Sequence, residues 1–140
     1  MPEESTTADL VERTRRAFEL ASSHDLDALM GFYAPNAVLD ISDAGIGTFE
    51  GAAAVRGFFE DWWGTWGDHL VEVEKIVGLG HGVVYSPFRE DGRLVGSDAH
   101  VEHRRGMVFL WVQDMIERQT VYLEIDEARA AAERLAEERG

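Results

Sequence analysis

Apolar and polar positions alternate with two different periods along this chain, and the change comes near its middle. From about Ala8 to Ser22, Leu10, Val11, Ala17, Phe18 and Ala21 form a partial stripe between charged residues. That spacing predicts a helix, with Thr7 as its cap. Leu26, Leu29, Met30 and Tyr33 recur at i, i+3, i+4 and i+7, so a second, short helix is expected after Asp25 and is stopped at Pro35-Asn36. Ala37 to Ser42 reads as a strand, and Asp43 to Gly51 as a loop or small hairpin. The strongest helical period is that of Val55, Phe58, Phe59, Trp62, Trp63 and Trp66. It predicts a third helix from about Ala52 to Trp63, reaching Trp66 unless Gly64 ends it.

Beyond Asp68 the period becomes two: Val71 and Val73 alternate with Glu72 and Glu74. Gly80-His81-Gly82 reads as a turn, Val83 to Arg89 as a strand, and Asp91-Gly92 as a hairpin turn. A long strand is expected from about Leu94 to Val112, with Gly96 and Gly106 as places for a bend or bulge. Gln113-Asp114 turns the chain, Ile116 to Leu123 returns it, and a last helix runs from Asp126 to near Gly140. The expected class is α+β: a cone-shaped barrel in which three N-terminal helices lie against a curved, mostly antiparallel sheet, with a C-terminal helix. One domain is expected over residues 8–140, after a frayed segment 1–7. A curled sheet roofed by helices encloses a hollow, and small-molecule sites of this kind hold roughly 300–1,000 Å³.

Composition narrows the choice of ligand. The 140 residues carry 13 Lys+Arg against 27 Asp+Glu, a formal charge of −14. Nucleic acids and anionic membranes are bound largely through Lys and Arg, so neither is an expected partner. The longest apolar run, Met107 to Val112, is far too short to cross a bilayer. No cysteine is present, so there is no thiol chemistry. The acidic start, Met1-Pro2-Glu3-Glu4, is followed by no apolar stretch of the signal-peptide kind, and a cytoplasmic location is expected. The expected partner is a small hydrophobic molecule, and no cofactor is expected.

The segment from Asp25-Leu26-Asp27-Ala28-Leu29 through Phe32-Tyr33-Ala34-Pro35-Asn36-Ala37-Val38 resembles the start of the nuclear-transport-factor-2-like superfamily. Gly47-Thr48-Phe49-Glu50-Gly51, leading to Val55 and Phe58-Phe59, resembles its signature at the opening of the third helix. Ile116 to Tyr122, followed by Asp126-Glu127-Ala128, is similar to the last strand and tail of the SnoaL-like branch. The resemblance spans about residues 8–135 and implies fold rather than activity, since this fold carries cyclases, isomerases, hydrolases, dehydratases and binders. Ketosteroid isomerases of the superfamily use an aspartate base, a tyrosine and a protonated acid. Those positions fall here on Ile41 (one residue from Asp40), Ala17 and Met107, so that catalytic set is absent and its activity is not carried over. The Arg-x-Asp of limonene-epoxide hydrolases is absent too, because Arg104 and Arg105 are followed by Gly106 and Met107.

Alternation along the long strand puts Val101, His103, Arg105, Met107, Phe109 and Trp111 on one face. If the resemblance sets Met107 inward, His103 and Arg105 face the hollow too, unless a bulge at Gly106 resets the parity. Imidazole is the side chain that titrates nearest neutral pH, and guanidinium clamps a carboxylate or polarises a carbonyl. His103 and Arg105 are therefore candidate catalytic residues. Their plainer reading is a cross-strand charge ladder with Glu72, Glu74, Glu102 and Glu117. Asp40 is a further candidate base, though it points away if Leu39 and Ile41 face inward. The candidate pocket comprises Phe59, Trp62, Trp66, Tyr85, Met107, Phe109, Trp111 and Gln119, and the aromatic stripe can equally be core. No metal site is expected, because His100, Glu102 and His103 fall on opposite strand faces. His24, His69 and His81 are expected at solvated turns. Val108, Leu110 and Val112 would leave an apolar outer face uncovered, which predicts a homodimer packed sheet to sheet. Three readings stay open: an acid–base cyclase, isomerase or hydrolase; a binder of a small hydrophobic ligand; and a dimeric scaffold whose hollow its own tryptophans plug.

Overall fold

The structure is a computed structural model that describes residues 6–140. The expected fraying of residues 1–7 lies, for residues 1–5, outside the described residues, while Thr6 caps the first helix and Thr7 opens it. Helix α1 spans Thr7–Ser22, and Thr6 caps it reciprocally: its hydroxyl accepts from Asp9 N–H, and the Asp9 carboxylate accepts from Thr6 N–H. Helix α2 is short, Leu26–Met30. Tyr33, expected on that helix, instead opens strand β1, Tyr33–Ile41, since the helix stops at Gly31. After a 3₁₀ turn, Ser42–Ala44, comes β2, Gly47–Glu50, so the expected loop is a hairpin with β1.

Helix α3 covers Ala52–Gly64, and β3 starts at once with Trp66–Val73. Trp66 therefore belongs to the sheet and not to the helical stripe. Strands β4, Val77–Gly80, and β5, Val83–Leu94, flank the expected turn. Strand β6 is His100–Val112 and β7 Met115–Tyr122, joined through Gln113 and Asp114, both at positive φ as a tight hairpin requires. Helix α4, Ile125–Arg139, closes the chain. Among the described residues seven strands form one sheet in the order β2-β1-β7-β6-β5-β3, with β4 also on β5, and of these pairs only β1–β7 is parallel.

Two sequence expectations fail in β5 and β6. Asp91-Gly92 is not the hairpin turn: β5 continues through it, and the reversal falls between Leu94 and His100, with Gly96 at φ 77. Gly92 serves a close approach instead, because a Cβ there would lie 1.8 Å from the Asp68 carbonyl oxygen on β3. Gly106 makes no bulge either. The β5–β6 register runs unbroken from Val83↔Leu110 to Arg93↔His100. Parity along β6 is therefore kept through Gly106.

That parity divides the sheet. On the inner face Leu39, Ile41, Val84, Phe88, Met107, Phe109 and Val121 join Ala17 and Phe18 of α1 and Val55 and Phe59 of α3 in the main core. On the outer face Val83, Tyr85, Val108 and Leu110 pack against Ala128, Ala132 and Ala136 of α4, with Val112 at the edge. These alanines recur every four residues, so one helix face of minimal side chains lies on the sheet. Helix α4 thus covers the outer apolar face, and the stated reason for a sheet-to-sheet homodimer there does not hold. Gly106 lets the helix sit this close: a Cβ on it would meet the Ala128 Cβ at 2.3 Å. A charge ladder does lie on this outer side, but Arg89 and Arg104 build it and not His103 and Arg105. Arg89 pairs with Glu72, Asp91 and Glu102, and Arg104 with Glu74.

Gly106→Ala is expected to lower stability by about 1–3 kcal/mol, through overpacking against α4. Gly57→Ala, mid-α3 with open space where its Cβ would go, is expected to raise it by about 0.5–1 kcal/mol. Urea unfolding of the two variants beside the parent checks both signs.

Candidate functional site

Between the inner face of the sheet, α1 and α3 lies an apolar hollow of about 90 Å³. Its floor is Leu39, Phe88, Phe109 and Val121, and α1 contributes Ala17, Phe18 and Ala21. Phe58, Phe59, Trp62 and Trp63 form the α3 wall, and the exposed Ile46 joins them. The hollow is well below the expected size, because this wall is filled by ring-on-ring packing: Phe58 stacks on Trp62 at 5.8 Å, and Phe59 lies 5.4 Å from Trp63. Phe58, Trp62 and Trp63 are only half-buried, so the wall is also part surface.

Four polar side chains interrupt this lining: Tyr33, Glu90, Arg105 and Gln119. Glu90 projects inward from β5, two residues past Phe88, and its side chain is 9% exposed. Burial alone would push its carboxyl up. Hydrogen bonds from His103 Nε2 (2.8 Å), His69 Nε2 (2.7 Å) and Trp62 Nε1 (3.0 Å) outweigh that and hold it at about 2. An ionised carboxylate only accepts, so both imidazoles carry their proton on Nε2. In neutral His69 the Nδ1 is then an acceptor, and His24 Nε2 lies 2.7 Å from it. A thread of hydrogen bonds therefore runs His24–His69–Glu90–His103.

The aromatic surroundings set this thread in place. His69 sits on β3, its ring 2% exposed and stacked 4.7 Å from Trp66. His24 occupies the turn after α1 at φ 56, a left-handed conformation uncommon for a residue with a side chain. That conformation lets its ring stack on Trp63 at 4.6 Å with only 3° between the planes. Burial, and then the neighbouring His69, holds the His24 imidazole below its ordinary range. The expectation that His69 is solvated at a turn is thus corrected, because β3 begins earlier than the helical period suggested. His24 is exposed as expected, but it is anchored by stacking.

On the floor, Tyr33 donates its hydroxyl proton to Gln119 Oε1, which points the Gln119 amide NH₂ toward the Met107 sulfur, 2.9 Å away. Burial pushes the Tyr33 phenol well up, so it stays a donor. Arg105 lies two residues before Met107 on the same strand face and lines the hollow. It makes no hydrogen bond or ion pair among the described residues.

Of the residues singled out from the sequence, Phe59, Trp62, Arg105, Met107, Phe109 and Gln119 line the hollow. His103 stands beside it, 20% exposed and bonded to Glu90. Asp40 does not reach it. Leu39 and Ile41 point inward, while Asp40 turns out to accept from Ser42 and Thr48 and to pair with Arg118, and these contacts hold its carboxyl below the usual range. It is not placed to act as a base in the hollow. Tyr85 lies on the other face of the sheet, under α4, near the Ile125 carbonyl. Trp66 packs behind the wall against Trp62 and His69. Trp111 is bonded to Thr14 of α1 and packs under Arg13 and Phe32, away from the hollow. The sequence reading gives Glu90 no role, and it places His69 at a solvated turn and Tyr33 on a helical stripe. Glu90 fell into the presumed Asp91-Gly92 turn; placing the reversal at Gly96-Ser97 would have set it opposite His103.

Three comparisons bear on kinship. No curated protein matches the chain. Among solved structures it is similar to Bal32a, from a soil-derived mobile gene cassette, at a TM-score of 0.74 and 17% identity. That match covers 84% of this chain and 91% of the other, and at such low identity it establishes the fold. Among the described residues no helix is long and apolar enough to cross a membrane. The family model for the SnoaL-like domain matches residues 14–118, three quarters of the chain, and the chain therefore belongs to the SnoaL-like domain family.

Proposed function

We propose that this SnoaL-like protein is an acid–base catalyst acting on a small, largely apolar molecule seated in the hollow. The observation that carries this reading is the buried Glu90 carboxylate held by two imidazoles at the edge of an apolar site. Held at about 2, Glu90 is too weak a base to take a proton near neutrality, and its work is positional. It fixes the His103 ring through Nε2 and stabilises the positive charge that ring acquires on taking a proton. The His103 Nδ1, which makes no hydrogen bond among the described residues, is the proton-transferring atom. Arg105 supplies the positive group toward which negative charge develops on the substrate.

A second reading, a non-catalytic binder, draws support from the hollow itself. At about 90 Å³ it is smaller than a cavity of about 150 Å³ that just admits benzene. It takes one end of a molecule unless the half-buried rings of α3 move. The two readings part on turnover.

A panel of small apolar ketones, enones, esters and epoxides, followed by proton NMR, tests this. Conversion of any member is expected to fall about 100-fold or more in His103→Gln and in Glu90→Gln, with KM changed far less. Conversion untouched by either substitution would sink the proposal. Binding without conversion across the panel would favour the binder.

The acid limb of stability follows from Glu90. Its folded value lies below the ordinary 4.5, so its contribution is full above 4.5 and is lost as pH falls toward about 2. The parent's urea midpoint is expected to drop more steeply over that window than that of Glu90→Gln. Parallel curves would show that the carboxylate is not held as described.

A further inference from the structure

The polar groups of the hollow are unbalanced. Of the arginines whose side chains make neither a hydrogen bond nor an ion pair among the described residues, Arg93 and Arg134 are exposed on the surface, whereas Arg105 is half-buried in the cavity wall. Glu90, the carboxylate of that lining, makes no ion pair with it and is occupied by His69, His103 and Trp62. Gln119 is 5% exposed, and the partner of its NH₂ group is a thioether sulfur, a weak acceptor. Tyr33 has already engaged the amide oxygen, so the amide cannot turn to offer it. Arg105 and Gln119 flank Met107, one two residues away along β6 and the other against its sulfur. The floor thus offers a fork of guanidinium N–H groups and an amide N–H pair, with no strong acceptor for either. The half-buried guanidinium, with no protein acceptor, gains a charge-assisted bond from a ligand oxygen that replaces solvent, and the buried Gln119 amide exchanges a weak sulfur acceptor for a strong one.

We infer that the hollow selects small apolar carboxylates, the carboxylate seated on Arg105 and Gln119 and the apolar chain lying along Phe88, Phe109 and the α3 rings. The inference rests on the reading of the hollow as a ligand site and adds the chemical class of the ligand. Two parallel N–H···O bonds match a guanidinium to a carboxylate better than to an amide or alcohol. The chain as a whole is strongly acidic, so attraction of an anion must come from the local geometry of these donors and not from the overall field.

The test compares hexanoate with its neutral analogues hexanamide and hexan-1-ol at pH 7.5, read by the fluorescence of Trp62 and Trp63 and by NMR shifts. Hexanoate is expected to bind about tenfold or more tightly than either analogue. Arg105→Met is expected to bring hexanoate to within about twofold of them while leaving their affinities unchanged. Should that variant fail to fold, Arg105→Lys keeps the charge without the fork and is expected to lose part of the preference. The double variant Tyr33→Phe/Gln119→Leu removes a bonded pair together and is expected to weaken hexanoate alone. Equal affinity of the three probes, or a preference that survives Arg105→Met, overturns the inference and leaves the hollow as a general apolar site. No binding of any probe to folded protein overturns the ligand-site reading as well.

Discussion

A carboxylate placed in an apolar wall must be given donors or be neutralised, and Glu90 is given three. They come from three different elements: Trp62 from α3, His69 from β3 and His103 from β6. One side chain on β5 therefore ties the roofing helix and both neighbouring strands together at one end of the hollow. Removing any single donor leaves the charge less well satisfied, while removing the charge leaves three donors facing each other. The edge of the site is stiff for this reason, and the Trp66 ring stacked on His69 inherits that stiffness.

The same sheet does different work on its two sides. Inward residues of β5, β6 and β7 meet large rings and leave space; outward residues meet alanines and leave none. Strand β6 serves both, since Met107 and Phe109 belong to the inner cluster and Val108 and Leu110 to the outer. Such a strand has little freedom to slip, because a shift of one residue would exchange the two sets. The position of Arg105 in the cavity wall is fixed by this constraint as much as by any contact of its own.

Strand parity was the most legible feature of the sequence. An unbroken register carries alternation from Leu110 back to His103, so once the resemblance set Met107 inward, the placing of Arg105 and Phe109 on the same face followed from alternation. The acidic partner was hidden by a local signal that tertiary pairing overrides: Asp91-Gly92 reads as a turn, yet the glycine is there because the β3 backbone passes over it. His69 was hidden by Trp66, which extends the helical period by one turn although Gly64 ends the helix. The covering role of α4 was hidden by its composition. Alanine contributes little to an apolar stripe, and its value here lies in smallness, matched by the missing side chain of Gly106. The size of the hollow was not legible at all, because ring packing among Phe58, Phe59, Trp62 and Trp63 decides it.

The exposed imidazole of His24 gives the buried acid a second connection to bulk solvent. A guest that plugs the mouth would shut out water there without isolating Glu90, because two rings in series still join it to the surface at the turn after α1. Charge could then be rebalanced by Grotthuss-type hopping through that side entrance while the guest stays in residence.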